Sequence, residues 1–166
     1  MKKALKFIIL FGIISLFADM TYEGGRSITG PYLYILGVNA VLIGFISGFG
    51  EFIGYGIRII FGAIADQTEK YWNFIVLGYI LNLIAVPLLA FANQWEIAIV
   101  LIIVERFGKS IRSPSKDVML SHASSQTGRG IGFGIHEAMD QIGAIIGPLI
   151  IAGILITKNN NYSIGF

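Results

Sequence analysis

Asp19, Glu23 and Arg26 follow one another at i, i+4 and i+7 inside the first long apolar run of the sequence. At about 100° per residue, all three fall in a narrow stripe on one helix face. Near the centre of a bilayer each ionised side chain costs roughly 2.5–3.5 kcal/mol on insertion scales, so such groups face a protein interior or a wet cavity. Two acids against one base leave a carboxyl over, and a carboxyl in a low-dielectric site can carry a proton. The chemistry implied is charge and proton handling along a solute pathway rather than membrane anchoring. The plainer use of Arg26 is to neutralise an acid in a buried structural pair.

The pattern recurs. Glu51, Tyr55, Arg58 and Gly62 share one face of the second apolar run. His136, Asp140, Gly143 and Gly147 share a face of the fifth, and Glu105, Lys109 and Arg112 a face of the fourth, with Arg106 about 100° round from Glu105. The third run has no charge, and Asn82 is its only strongly polar mid-run residue. This predicts one helix turned to lipid and four lining a shared interior. With Lys6, Glu96 and Arg112 near the run ends set aside, the acids Asp19, Glu23, Glu51, Glu105, Glu137 and Asp140 outnumber the bases Arg26, Arg58, Arg106 and Lys109 by two, which leans towards proton coupling or a cationic solute. His136 is of a type that titrates near neutral pH. An acid/base pair of His136 and Asp140 in a membrane-embedded enzyme is a rival use. No metal-ligand spacing, serine nucleophile elbow or phosphate loop accompanies it, and we expect neither an enzyme nor a cofactor.

The elements that hold these stripes follow from composition. Of the 166 residues, 55% are hydrophobic and 13% charged, about half the charged share of a soluble domain. Runs near 20 residues long place the chain in the bilayer. A net charge of +2 without a basic cluster speaks against nucleic acid as a partner. With no cysteine, and only His122 and His136, disulfides, thiol chemistry and a histidine metal site are not expected. Five runs are drawn at about 4–36, 41–65, 72–92, 96–113 and 133–157, with a stub at 162–166 opening a sixth. The joints are short except 114–132, so neighbours are antiparallel. Gly24-Gly25 and Pro31 suggest a bend or local unwinding in the first run. Lys2, Lys3, Lys6, Lys70, Lys116 and Arg129 fall on one side of this path and only Lys158 on the other, so the N-terminus is expected in the cytoplasm. Trp95 and Tyr162 sit at run ends on the far side, as interfacial aromatics do. The basic start resembles a signal peptide, but no A-x-A site follows, and a retained first span is the better reading.

Glycines mark the seams. Gly44, Gly48, Gly50, Gly54, Gly56 and Gly62 line the second run, and Gly143, Gly147 and Gly153 the fifth, with Pro148 beside Gly147. Small residues at i, i+4 let helices approach closely.

At the second joint, Gly62, Asp66 and Lys70 resemble the G-x-x-x-D-[RK]-x-G-[RK]-[RK] loop of the major facilitator superfamily, whereas Gln67, Glu69 and Tyr71 depart from it. Arg106 to Asp117 is similar to the R-x-G-K-x-[IL]-R-x-P-x-[RK]-D form of one prokaryotic branch. Gly143, Gly147, Pro148 and Gly153 resemble the G-x-x-x-G-P-x-x-x-G motif on helix 5 of drug/proton antiporters. The resemblance covers nearly the whole chain. It implies an all-α membrane fold, the incomplete N-terminal six-helix half of a twelve-helix bundle, in a prokaryotic cytoplasmic (plasma) membrane. It implies secondary active transport of a small solute, coupled to protons and leaning to efflux, completed by a missing C-terminal half. In that picture Asp19, Glu23, Arg26, Glu51 and Arg58 face the cavity, and Glu105 and Arg106 tune a proton site with His136 and Asp140 as further candidates. Gly62, Asp66 and Lys70 form a cytoplasmic gate, and Gly143, Gly147 and Pro148 tighten the helix 5 seam. The rival class is a non-transporting membrane assembly or regulatory protein, complete at this length, whose stripes pair with partner helices.

Overall fold

The computed structural model describes residues 2–125, 127–159 and 161–166. Six helices follow in order: α1 (Lys2–Ile35), α2 (Ala40–Thr68), α3 (Tyr71–Leu89), α4 (Trp95–Ser124), α5 (Arg129–Thr157) and the short α6 (Tyr162–Gly165). Among the described residues there is no strand. Helices α1, α2, α3 and α5 are long and apolar enough to cross a membrane by length and composition. Helix α4 is long enough too, but below Val104 it carries a charge at almost every turn.

Helix α4 is the centre of the bundle. It touches α1, α2, α3 and α5, whereas α2 barely meets α1 or α3. The two tightest pairings are α1 with α5 and α3 with α4. Both are seams of small residues. A side chain on Gly143 or Gly147 would run into the carbonyl oxygens of Leu16 and Met20 on α1. Gly78 and Gly108 similarly bring α3 and α4 together, since a Cβ on Gly78 would lie 2.6 Å from the Gly108 carbonyl oxygen. A Cβ on Gly153, which stands one position past the place of the motif's third glycine (here Ala152), would meet nothing within 4 Å, so within this chain Gly153 takes no part in that seam.

The ends alternate as the short joints require. Phe7 and Phe11 near the start of α1 pack edge-on against Trp72 at the start of α3. At the opposite end Tyr32 donates its hydroxyl hydrogen to the Ala92 carbonyl and packs against Phe166. The first joint turns on Gly37 at φ +92°, and Asn39 then caps α2 by accepting from the Leu42 N–H at 2.8 Å.

Two sequence expectations change. Helix α1 continues unbroken through Gly24-Gly25 and Pro31. The glycines give close approach instead: a Cβ on Gly24 would sit 3.3 Å from the Gly147 carbonyl, and one on Gly25 2.7 Å from Val86 Cγ1. Helix α4 does not stop at Ser113 but runs through Pro114 to Ser124. Proline removes one backbone donor, yet charged side chains on both sides of it are tied to other helices, and Pro114 faces Gly62 of α2, where an added Cβ would lie 3.5 Å from the proline Cβ. The long loop shrinks to a few residues around Gly128, and α5 begins at Arg129.

Candidate functional site

The extension of α4 rewrites the charge ledger. Arg106, Lys109, Arg112 and Lys116 now lie on one helix, and each meets an acid from elsewhere. Arg106 pairs with Glu51 on α2. Lys109 Nζ lies 3.8 Å from Glu23 Oε1 on α1. Arg112 Nη2 lies 3.3 Å from Asp19 Oδ1 on α1. Lys116 Nζ donates to Asp140 Oδ2 on α5 at 2.8 Å. Glu137 is exposed and accepts from Gln141, so it leaves the interior altogether. With Glu137 removed and Arg112, Lys116 and Asp117 added, six acids stand against six bases. Lys116 and Asp117 reach their partners because tertiary ion pairs hold the helix together beyond Pro114, whereas Arg112 lies before the proline and turns inward to Asp19.

The ladder has a dry half and an open half. On the dry side Arg112 and Asp19 are almost wholly buried, at 1% and 7% exposure. The guanidinium lies 4.5 Å from the centre of the Tyr79 ring, and Tyr79 shares a 3.0 Å hydrogen bond with Ser15. Asp140 is also within 3.4 Å of His136 Nδ1, and His136 packs on Phe11.

On the open side Glu51 takes Arg26 from α1 and Arg106 from α4 on the same carboxylate oxygen. Arg26 and Glu51 keep 39% and 42% of their side chains exposed. Lys109 donates to the Tyr22 hydroxyl and sits 4.1 Å above that ring's centre. A recess of about 100 Å³ opens here, walled by Arg26, Glu51, Tyr55, Arg58, Glu105, Arg106 and Lys109 among others. A second recess of about 290 Å³ shares Arg26, Glu105 and Arg106 and continues past Thr29, Ser47, Val86, Leu89 and Ile102.

Glu105 differs from the other interior acids. Among the described residues no cation lies within 4 Å of its carboxylate; its partner is the buried amide of Asn82, which donates to Oε1 at 2.9 Å. A charged group removed from water without a counter-ion is costly, which makes Glu105 the interior carboxyl best suited to the neutral form.

The structure thus brings Arg26, Glu51, Glu105 and Arg106 together, with Arg58 at the rim; Glu23 stands behind them, near Arg26 and Lys109 but lining neither recess. The fold sets Asp19, His136 and Asp140 apart, lining neither recess. Gly62 and Asp66 border an open cleft with Arg58 and Asp117, whose side chains pair at 2.6 Å. Lys70 lies beyond that cleft, at the start of α3. The interior pairings of Asp117 and Lys116, and the roles of Tyr22 and Tyr79, escaped the sequence reading. The first two sat in a supposed loop, and aromatics in apolar runs read as packing. Asn82 was visible as the polar exception in a charge-free run, but its tie to Glu105 was not.

A helical bundle whose central helix threads a ladder of ion pairs beside a recess is a polytopic membrane protein with a polar interior. Its family is shown by comparison: a model of the Major Facilitator Superfamily matches residues 7–164, and the chain belongs to that family. It is 47% identical over 160 residues to an uncharacterized protein of Mycobacterium tuberculosis, covering 96% of this chain and 39% of that protein. An uncharacterized MFS-type transporter of Methanocaldococcus jannaschii is 33% identical over 145 residues, 87% of this chain and 36% of the relative. The multidrug resistance protein MdtH of Photorhabdus laumondii is 30% identical over 115 residues, 69% of this chain and 28% of the relative. The chain therefore spans 39% or less of the length of each of these relatives. No solved structure matches it. Family and apolar helices together make it an integral membrane protein.

Proposed function

We propose that the whole protein moves a small solute across the cytoplasmic membrane by proton-coupled secondary active transport, and that this chain supplies one wall of the pathway. The observation that carries this reading is the recess where Arg26, Glu51 and Arg106, from three different helices, meet beside Glu105. Charges there are bridged between elements that must part for a cavity to open, and Glu105 is placed to hold a proton. The lysine and arginine distribution supports an N-terminus in the cytoplasm. The helix 5 motif and the likeness to a protein named for multidrug resistance support export as the direction. Gly62, Asp66 and Lys70 would gate the cytoplasmic end. A Cβ added to Gly44, Gly48 or Gly56 on α2 or to Gly153 on α5 would meet nothing within 4 Å, and the greater length of the relatives supports these positions seating helices of a second half.

The test uses the intact protein in proteoliposomes with a pH dye trapped inside. Two aromatic solutes of permanent and opposite charge, p-toluenesulfonate and benzyltrimethylammonium, are supplied separately. One of them is expected to move together with protons, and Glu105→Gln to uncouple the two. Movement of neither solute would overturn the transport reading; movement indifferent to pH in both wild type and Glu105→Gln would overturn the coupling.

A further inference from the structure

Resting on that transport reading, we infer that the solute is an amphipathic organic anion, its oxyanion head held between Arg26 and Arg106 and its apolar body in the adjoining neutral recess. The walls of the smaller recess carry four cations, Arg26, Arg58, Arg106 and Lys109, against two acids, Glu51 and Glu105. Neither acid offers a free counter-charge to a cation. Glu51 is taken by two guanidiniums at once, on one oxygen. Glu105 is drawn towards α3 by Asn82.

The cations are less fully used. Arg26 and Arg106 share the Glu51 carboxylate, Arg26 has Glu23 only at the longer distance of 3.9 Å, and the buried Nε of Arg106 has no acceptor among the described residues. Arg106 lies across Gly50, where a Cβ would come within 2.9 Å of that Nε, so the missing side chain is what leaves the guanidinium room. Planar guanidiniums with spare donors match the paired oxygens of a carboxylate, phosphate or sulfonate. Glu51 then acts as a built-in stand-in for the solute head, holding the two arginines in place until the head competes for them. Arg58 pairs with Asp117, and Lys109 shares Glu23 with Arg26 while donating to the Tyr22 hydroxyl, so these two set the positive background rather than the contact.

The second recess supplies the other half of the specificity. Beyond Arg26, Arg106 and Glu105 its wall carries no charged residue, with Val86, Leu89 and Ile102 set against Thr29 and Ser47. Sites of this kind fix orientation with a few polar groups and bury the rest of the ligand in apolar surface. An inside-negative membrane potential favours exit of an anion, which agrees with export.

The sign of one substitution separates an anion from a cation. In nanodiscs bearing the intact protein, p-toluenesulfonate is expected to bind and benzyltrimethylammonium, which has a similar aromatic body, is not. Glu51→Gln frees both arginines and should tighten sulfonate binding about threefold or more. Arg26→Gln, which leaves the Arg106–Glu51 pair one to one and so keeps the fold safe, should weaken it by about tenfold. Binding of benzyltrimethylammonium that is lost in Glu51→Gln would overturn the anion while leaving transport standing. Sulfonate binding unchanged in Arg26→Gln would overturn the arginine site. Binding of neither probe would overturn the anion class, and with no flux of either probe the transport reading falls as well.

Discussion

The two halves of the α4 ladder use the same chemistry to opposite ends. Asp19–Arg112 and Asp140–Lys116 are shut between α1, α4 and α5, under aromatic rings and beside a seam of glycines. Glu51–Arg106–Arg26 sits at a recess, half open, under a helix that touches little besides α4. Burial rather than charge separates them. A pair out of reach of solvent and solute can only hold helices together. A pair on the wall of a cavity can exchange partners. Ionisable residues in membrane helices mark function by default, but here only the open half lines a recess.

The largest effect that follows is on the dry side. Removing one partner of a buried ion pair leaves the other charge stranded and costs about 3–5 kcal/mol, whereas replacing both by apolar side chains is often neutral. Arg112→Met should therefore leave little folded protein by thermal denaturation in detergent, and Asp19→Leu added to it should restore most of it. If the double variant stays as unstable as the single one, the pair does more than bind α1 to α4, and the two halves of the ladder are not so different.

Next comes the seam behind the dry half. Gly147→Leu must push α5 off the Met20 carbonyl, and overpacking of this kind costs about 1–3 kcal/mol. Gly153→Leu, on the same helix with nothing within 4 Å, should leave the melting temperature of this chain unchanged. Equal losses at the two positions would dissolve the distinction between a packed and an open face of α5.

The contrast also shows what a linear sequence displays. The face of each helix on which charges gather was legible, because 3.6-residue periodicity is local: Asp19, Glu23 and Arg26 do share a side, and so do Glu51, Tyr55 and Arg58. The three stretches that resemble family motifs lie at the α2–α3 joint, on α4 and on α5. Which acid meets which base was not legible. Asp19 and Glu23, four residues apart on one stripe, end in different environments, since α1 faces the α5 seam and Tyr79 at one level and the recess at the next. Lys116 and Asp117 were lost for a related reason: Pro114 and the polar residues beyond it read as a loop by local preference, and only pairing with α5 and α2 keeps them helical. Asn82 looked idle in a lipid-facing helix because its use, holding Glu105, lies across the α3–α4 seam.

On the open side stability and transport should come apart. Arg26 is 39% exposed, and its removal leaves Glu51 with Arg106, so Arg26→Gln should cost under about 1 kcal/mol. Solute flux in proteoliposomes should nevertheless fall by about tenfold, as the loss of a charge-assisted contact implies. A variant that unfolds, or that folds and transports as well as wild type, would move Arg26 into the structural class.

The smallest effect belongs to Arg58 and Asp117, and it is the finest test of burial as the dividing variable. Their geometry is better than that of the dry pair, 2.6 Å against 3.3 Å for Arg112 and Asp19. If distance decided, they would be the stronger couple. Their side chains are, however, 44% and 43% exposed, on the rim of an open cleft beside Gly62 and Asp66. Exposed pairs are worth about 0.2–1 kcal/mol and weaken further as salt screens them. A double-mutant cycle of Arg58→Gln and Asp117→Asn on thermal stability should give a coupling in that range, shrinking between 50 mM and 500 mM salt. A salt-insensitive coupling above about 2 kcal/mol would mean that the rim is closed in the folded protein, and that α2 is fastened to α4 at this end rather than free to part from it.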